Sequence, residues 1–183
     1  RRVLFRSILF LIMGTLPAVI IGLATRDMIT DLFDSIPMVA GSLIFTGIIL
    51  LLTQKLNRKN KQLNFKKGLL IGLTQAFAMI PGISRSGMTI STGLALGLSG
   101  KDAAKFSFFL AIPVIAGAGL LTVLDTQPGS ISIPMLQLLL AFFSAFIVGT
   151  ISLKWLLGLL ESGKFHRFGY YCIMVGLITY LAI

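Results

Sequence analysis

The sequence has few of the residues with which proteins build disulfides, metal sites and acid–base catalysis. Among its 183 residues there are one cysteine, one histidine and six acidic residues. Cys172 lies in an apolar segment, so a disulfide framework is excluded and no redox role is indicated. His166 falls in a basic loop, where we interpret it as a solvated surface residue. No spacing typical of metal ligands, nucleotide-binding loops or catalytic triads occurs in the chain.

Charge is also scarce, and hydrophobic residues predominate. Charged residues make up 12% of the chain and hydrophobic residues 56%. A soluble domain of this length cannot bury so much apolar surface. Several apolar runs reach the length of about 20 residues that crosses a hydrocarbon core of about 30 Å. We therefore predict an all-α polytopic membrane protein. Its net charge of +10 could suggest binding to nucleic acid, but we expect the basic residues to face the bilayer surface and no nucleic acid to bind.

Breaks at glycine, proline and charge divide the chain into predicted spans and connections. The predicted spans are residues 8–24, 38–52, 106–123, 133–153 and 168–183, the fourth with a helix that can continue towards Leu160. The predicted connections are residues 26–37, 55–67, 99–105 and 125–132. Residues 68–98 form a long apolar stretch in which Arg85 is the only charged residue.

The first seven residues are treated separately. Residues 1–7, RRVLFRS, read like the translation of a common short-read sequencing adapter, and the chain does not begin with methionine. We leave this segment out of the fold prediction. We expect native sequence to begin near Ile8, and the chain to be the carboxyl-terminal part of a longer protein.

The distribution of basic residues predicts how the stretch 68–98 is placed in the membrane. If it enters and leaves on the same side, eleven Lys and Arg residues beyond residue 7 lie on the cytoplasmic side and Arg26 alone lies outside. If it crosses once, the two sides carry six each. The positive-inside rule favours the first arrangement. Each arm of the stretch is also too short to cross the bilayer, so we predict a re-entrant hairpin with its turn near the midplane.

This hairpin suggests an inverted-repeat architecture. Residues 68–183 form one unit, namely the hairpin and three spans, and residues 8–54 resemble the last two spans of an equivalent unit. The basic residues 55–67 form a cytoplasmic loop between the two units. An odd number of crossings in each unit turns successive units upside down, a plan common in proteins with a binding site at the midplane.

Arg85 is the strongest candidate for function. An arginine at membrane depth costs roughly 2.5 to more than 10 kcal/mol, so it normally faces a cavity and a partner. The hairpin contains no acidic residue that could be this partner. The guanidinium group can donate to two phosphate oxygens at once. We therefore predict that Arg85 binds a phosphate.

The residues around Arg85 are suited to the same ligand. Pro81 ends the first arm, and the amides that open the second arm form an anion site at a helix amino terminus. Glycines allow a close approach of the backbone, and hydroxyls add donors. The predicted phosphate-binding set is Gly82, Arg85, Ser86, Gly87 and Thr89, and the predicted catalytic set is Arg85, Ser84 and Ser86. For Gln75, Ser91 and Thr92 we favour a structural role over a functional one.

Three stretches of the chain resemble a known family. The hairpin residues 72–87, GLTQAFAMIPGISRSG, closely resemble the second signature of the bacterial undecaprenyl-diphosphate phosphatases of the bacitracin-resistance type. Residues 16–22, LPAVIIG, and 106–113, FSFFLAIP, are similar to the same family and occur in the same order. The resemblance extends from Ile8 to Ile183.

The resemblance implies removal of the terminal phosphate from a C55 polyprenyl diphosphate, at the outer face of the bacterial plasma membrane. It implies that Arg85 clamps the diphosphate, with Ser84 and Ser86 beside it. The family's first signature, with its glutamates and its Ser-Ser-x-Gly-His segment, does not occur here. It would supply the nucleophile or base and the ligands of a divalent cation, Mg or Ca. No metal ligand is assigned within this chain, and we expect the chain alone to be inactive.

Two questions stay open from the sequence. A lipid-phosphate flippase would need the same midplane anion site, because inverted units with broken helices are also a transporter plan. Release of phosphate from the lipid separates the phosphatase from the flippase. A homodimer is a further expectation that the residues neither require nor exclude.

Overall fold

The computed structural model describes residues 2–56, 60–125 and 134–182, and their side chains except those of residues 2–8, 26, 27, 30 and 31. All regular elements in this part of the chain are helices, which confirms the all-α prediction. Eight α-helices follow one another, and a short 3₁₀ turn at Thr53–Lys55 extends the third. They are α1 Arg2–Ala24, α2 Arg26–Phe33, α3 Ile36–Leu52, α4 Phe65–Phe77, α5 Arg85–Ala95, α6 Gly100–Asp125, α7 Met135–Glu161 and α8 Arg167–Leu181.

Helices α3, α6 and α7 are long and apolar enough to cross a membrane, and α8 and residues 9–24 of α1 are shorter apolar helices. The fold therefore has the helices of a polytopic membrane protein. Helices α4 and α5 are only 13 and 11 residues long. Their predicted re-entrant placement in the bilayer stays a prediction.

Two predicted connections are in fact helical. Residues 26–37 were expected as a connection, but most of them form α2, whose apolar residues Met28, Ile29, Leu32 and Phe33 recur at helical spacing. Residues 99–105 were expected to link the hairpin to the next span, but residues 100–105 form the first turns of α6, and Ser99 directly precedes it. The Ser99 hydroxyl donates to Asp102 Oδ2 at 2.7 Å and accepts from the Asp102 amide at 3.0 Å. This capping arrangement starts the helix ahead of its apolar run.

The remaining connections lie partly outside the described residues. In the basic loop 55–67, residues 57–59 are outside the described part of the chain. Of the predicted connection 125–132, residues 126–132 are outside it, whereas Asp125 ends α6. Of the predicted adapter segment, residue 1 is outside it and residues 2–7 continue α1.

Helix α5 is the most enclosed element of the described chain. Seven of its eleven residues are buried, and it contacts α3, α4 and α6. Outside this centre, α3 packs mainly along α8, and α1 packs mainly along α4. Apolar side chains such as Ile90, Leu98 and Leu110 fill the core beside α5. The fold therefore holds the beginning of α5, where Arg85 lies, in a fixed position.

Helices α4 and α5 form a hairpin whose two open ends lie together. The amide of Lys61, just before α4, donates to the carbonyl of Gly97, just after α5, at 2.8 Å. Within the hairpin, the Thr92 hydroxyl donates to the Thr74 hydroxyl at 3.1 Å. The chain thus enters and leaves the hairpin at the same level, and the turn of residues 78–84 lies at the opposite end.

Candidate functional site

The turn of the hairpin is pressed against α3 at Gly82. This residue has φ +84°, a left-handed conformation that favours glycine. A Cβ at this position would also overlap the backbone of Val39 and lie 2.8 Å from Cβ of Ser42. Both the backbone angle and the lack of space therefore require glycine, and the close approach places the next residues of the turn beside α3.

Ser84 forms the cap at which α5 begins. Its hydroxyl oxygen accepts from the amide of Gly87 at 3.1 Å, and its own amide donates to the hydroxyl oxygen of the buried Thr46 at 3.2 Å. A Cβ at Gly87 would lie 2.9 Å from the Ser84 oxygen, so the cap needs a glycine there. The Ser84 oxygen is therefore an acceptor in the fold, while its hydroxyl hydrogen is still able to reach a ligand.

Arg85 is the first residue of α5 and is partly buried. Within the described part of the chain, its guanidinium makes no ion pair and no hydrogen bond, and the hydroxyl of the exposed Ser86 has no partner either. The amides of Arg85 and Ser86 also lack an acceptor there, as the first amides of a helix do. A fixed positive charge and free amide donors thus meet at one helix amino terminus, which is the arrangement that binds anions.

Thr89 lies deeper than the rest of the predicted set. It is 1% exposed, and its hydroxyl donates to the carbonyl of Arg85 at 2.9 Å. The same oxygen lies 2.6 Å from the hydroxyl oxygen of Ser107 in α6. The structure therefore brings Gly82, Ser84, Arg85, Ser86 and Gly87 together around the start of α5, whereas the Thr89 hydroxyl already has partners between α5 and α6. Contact of Thr89 with phosphate stays a prediction.

Two supporting residues were given no role from the sequence. Thr46 holds the Ser84 amide and Ser107 holds Thr89, yet both lie in apolar helices with no local pattern that indicates a partner. Gln75 and Ser91, by contrast, were expected to have a structural role. Gln75 is 1% exposed, and neither its Nε2 nor Oγ of Ser91 has a hydrogen-bond partner in the described chain.

A divalent cation finds no suitable set of ligands in the described residues. No three side chains of His, Cys, Asp or Glu come together there. These residues do not fit a metal ion, so no chemical step at this site is routed through one.

Comparison with known proteins gives consistent matches over most of the chain. The model of the family described as "Bacitracin resistance protein BacA" matches residues 2–178. The chain is 40% identical to the undecaprenyl-diphosphatase of Bdellovibrio bacteriovorus, which covers 94% of this chain and 68% of that protein. It is 41% identical to the undecaprenyl-diphosphatase of Rhodopirellula baltica, in a match that covers 96% of this chain and 70% of that protein. It is 38% identical to undecaprenyl-diphosphatase 2 of Bacillus thuringiensis, in a match that covers 96% of this chain and 66% of that protein. The chain thus spans about two thirds of the length of these relatives.

Proposed function

The chain belongs to the bacitracin resistance protein BacA family, and from this membership we propose that its full-length protein is a membrane-embedded phosphatase. Its substrate is undecaprenyl diphosphate and its products are undecaprenyl phosphate and inorganic phosphate. The relatives named undecaprenyl-diphosphatase support this assignment. The reaction takes place at the outer face of the bacterial plasma membrane and returns the lipid carrier to cell-wall synthesis.

The observation that carries the proposal is the unpaired Arg85 at the start of α5. A partly buried arginine without a carboxylate partner is costly in a membrane protein unless a ligand supplies the negative charge that pairs with it. The neighbouring free amides and the Ser86 hydroxyl add donors at the same end of the helix. A phosphate group has enough oxygens to accept from all of them at once.

In this reaction the described residues position the substrate and neutralise charge. Arg85 donates to two oxygens of the diphosphate, and the first amides of α5 and the Ser86 hydroxyl hold the others. Attack on the terminal phosphorus forms one P–O bond and breaks the bond to the bridging oxygen, which leaves with the electron pair on undecaprenyl phosphate. The donors stabilise the negative charge that is redistributed in the transition state.

The described residues around Arg85 offer no attacking group. The described site holds no carboxylate, histidine or thiol beside Arg85. We propose that a nucleophile or base and the ligands of a divalent cation come from the segment that corresponds to the family's first signature. The present chain contributes the phosphate-binding half.

The test is phosphate release by the full-length protein in detergent, with undecaprenyl diphosphate as substrate. Arg85→Ala should lower kcat by at least about 100-fold, the scale measured when one donor to a developing charge is removed. Arg85→Lys should lower kcat to a similar degree, because an ammonium group does not provide two parallel donors. Arg167→Ala, at the exposed start of α8, is the control for the loss of a positive charge elsewhere.

Near-normal turnover by Arg85→Ala would remove this residue from the mechanism. The flippase has no support from the names of the relatives. If the lipid moved across the vesicle membrane without any release of phosphate, the flippase would be the better assignment.

A further inference from the structure

An apolar groove lies beside the candidate anion site. It has a volume of about 340 Å³ and is open on one side. One wall is the first half of α3, and the other is the end of α4 with the turn that follows. Of the lining side chains, only that of Ser42 is polar. The lining residues are Pro37, Met38, Gly41, Ser42 and Phe45 on one wall, and Phe77, Ile80 and Ile83 on the other.

The groove adjoins the start of α5 at Ile83. Ile83 lines the groove and directly precedes Ser84, the cap of α5. Gly82 packs on the same stretch of α3 that forms the other wall. A ligand that fills the groove and reaches Arg85 must therefore be an apolar chain with an anion at its end. This combination of groove and charge selects an amphiphile over a purely apolar partner.

The rim and the size of the groove limit how much of a chain it can hold. Phe45 and Phe77 form an edge-to-face pair with ring centroids 6.0 Å apart, and both rings are partly exposed. Ligand pockets usually have volumes of about 300–1,000 Å³, so this groove is at the small end of the range. It has room for the first units of a polyprenyl chain, and the rest would extend past the open side into lipid.

We propose that this groove binds the isoprenoid units next to the diphosphate of the lipid substrate. The proposal rests on the proposed function and adds to it the residues that recognise the chain. Met38, Phe45 and Phe77 contact the first units, while Arg85 holds the diphosphate. The groove then positions the phosphorus by fixing the chain to which it is attached.

Gly41 offers a way to fill the groove without disturbing the fold. It lines the groove, and a Cβ built on it meets no atom within 4 Å. Gly41→Leu should therefore occupy the space of the substrate chain, whereas Gly41→Ala should leave most of it open. Gly117→Leu, at another glycine whose Cβ would meet nothing within 4 Å, is the control on α6.

The experiment compares kcat/KM of the full-length protein for farnesyl diphosphate, which has an isoprenoid chain, and for ethyl diphosphate, which has none. Gly41→Leu should lower kcat/KM for farnesyl diphosphate by at least about tenfold, the scale of a small change in an apolar pocket. The value for ethyl diphosphate should stay within about twofold of wild type, as should both values for Gly117→Leu, and Gly41→Ala should lower kcat/KM for farnesyl diphosphate less than Gly41→Leu does. Farnesyl diphosphate binding and thermal unfolding are measured for the same variants.

The outcomes separate this proposal from the proposed function. If wild type releases no phosphate but binds farnesyl diphosphate, the phosphatase assignment fails and the groove is judged by whether Gly41→Leu weakens binding. Unchanged binding and turnover in Gly41→Leu would overturn the groove as the chain site. If Gly41→Leu lowered kcat/KM equally for both substrates, or lowered the unfolding temperature in the absence of ligand, the groove would also be rejected as the chain site. Either result would mean that another segment of the protein fills the groove.

Discussion

At the scale of single residues, two hydroxyls hold the start of α5 in different ways. Ser84 caps the helix from its own end, whereas Thr46 on α3 accepts from the Ser84 amide across an interface. Thr46 is fully buried. The orientation of the Arg85 backbone therefore depends on α3 as well as on the hairpin itself.

Thr46→Val should destabilise the protein by about 1–3 kcal/mol, because it keeps the shape of the side chain but leaves the Ser84 amide without an acceptor. Thermal unfolding of the purified protein in detergent measures the change. Thr150→Val is the matched control, since the Thr150 hydroxyl donates only to the carbonyl of Phe146 in its own helix. Equal effects of the two substitutions would show that the Thr46 contact adds nothing beyond a hydroxyl in a helix.

Local and distant residues of the site differ in how well they could be predicted. Arg85 and its serines and glycines were predictable because a charge in an apolar stretch is informative without any knowledge of the fold. Thr46 was not, because it lies 38 residues before Ser84 in an apolar helix and only packing brings the two together. The unpaired amide of Gln75 was missed for the same reason, since burial is a property of the packed helices.

At the scale of helices, side-chain caps and not hydropathy set where α4 and α5 begin. The hairpin was predicted over residues 68–98, but its first arm is α4, Phe65–Phe77, and its second is α5, Arg85–Ala95. Asn64 accepts from the Lys67 amide and starts α4 three residues before the apolar run. Ser84 does the same for α5. At the other end of α5, Gly97 has φ +83° and follows the last turn of the helix.

Helices α1 and α4 meet at glycines, which gives a test of helix packing. A Cβ at Gly72 would overlap the backbone of Gly14. Gly72→Val should therefore push α4 away from α1 and destabilise the protein by about 1–3 kcal/mol, as overpacked cores do. The thermal unfolding temperature reports the change. Gly149→Val, where a Cβ meets nothing within 4 Å, should have little effect, and a similar loss there would implicate β-branching instead of the contact.

At the scale of the whole molecule, the packing of α3 on α8 bears on the topology. Leu51 near the end of α3 lies against Gly169 near the start of α8, and Ala40 near the start of α3 lies against Gly176 further along α8. The two helices are therefore antiparallel, and the end of α3 and the start of α8 share one side of the membrane. If the hairpin crossed the bilayer once, α3 and α8 would run in the same direction. The re-entrant arrangement requires this antiparallel packing, and the re-entrant placement and the two inverted units stay predictions.

Cysteine labelling in intact cells tests this topology directly, because Cys172 is the only cysteine of the chain and is buried. In a Cys172→Ala background, Asp34→Cys between α2 and α3 should react with a membrane-impermeant thiol reagent added outside the cells. Lys101→Cys at the start of α6 should react only after the cells are permeabilised. Both native side chains are exposed, so failure to react reflects the side of the membrane and not burial. Labelling of Lys101→Cys from outside would mean that the hairpin crosses the bilayer. Arg85 would then lie on a crossing path, and the positive-inside bias of the chain would be lost.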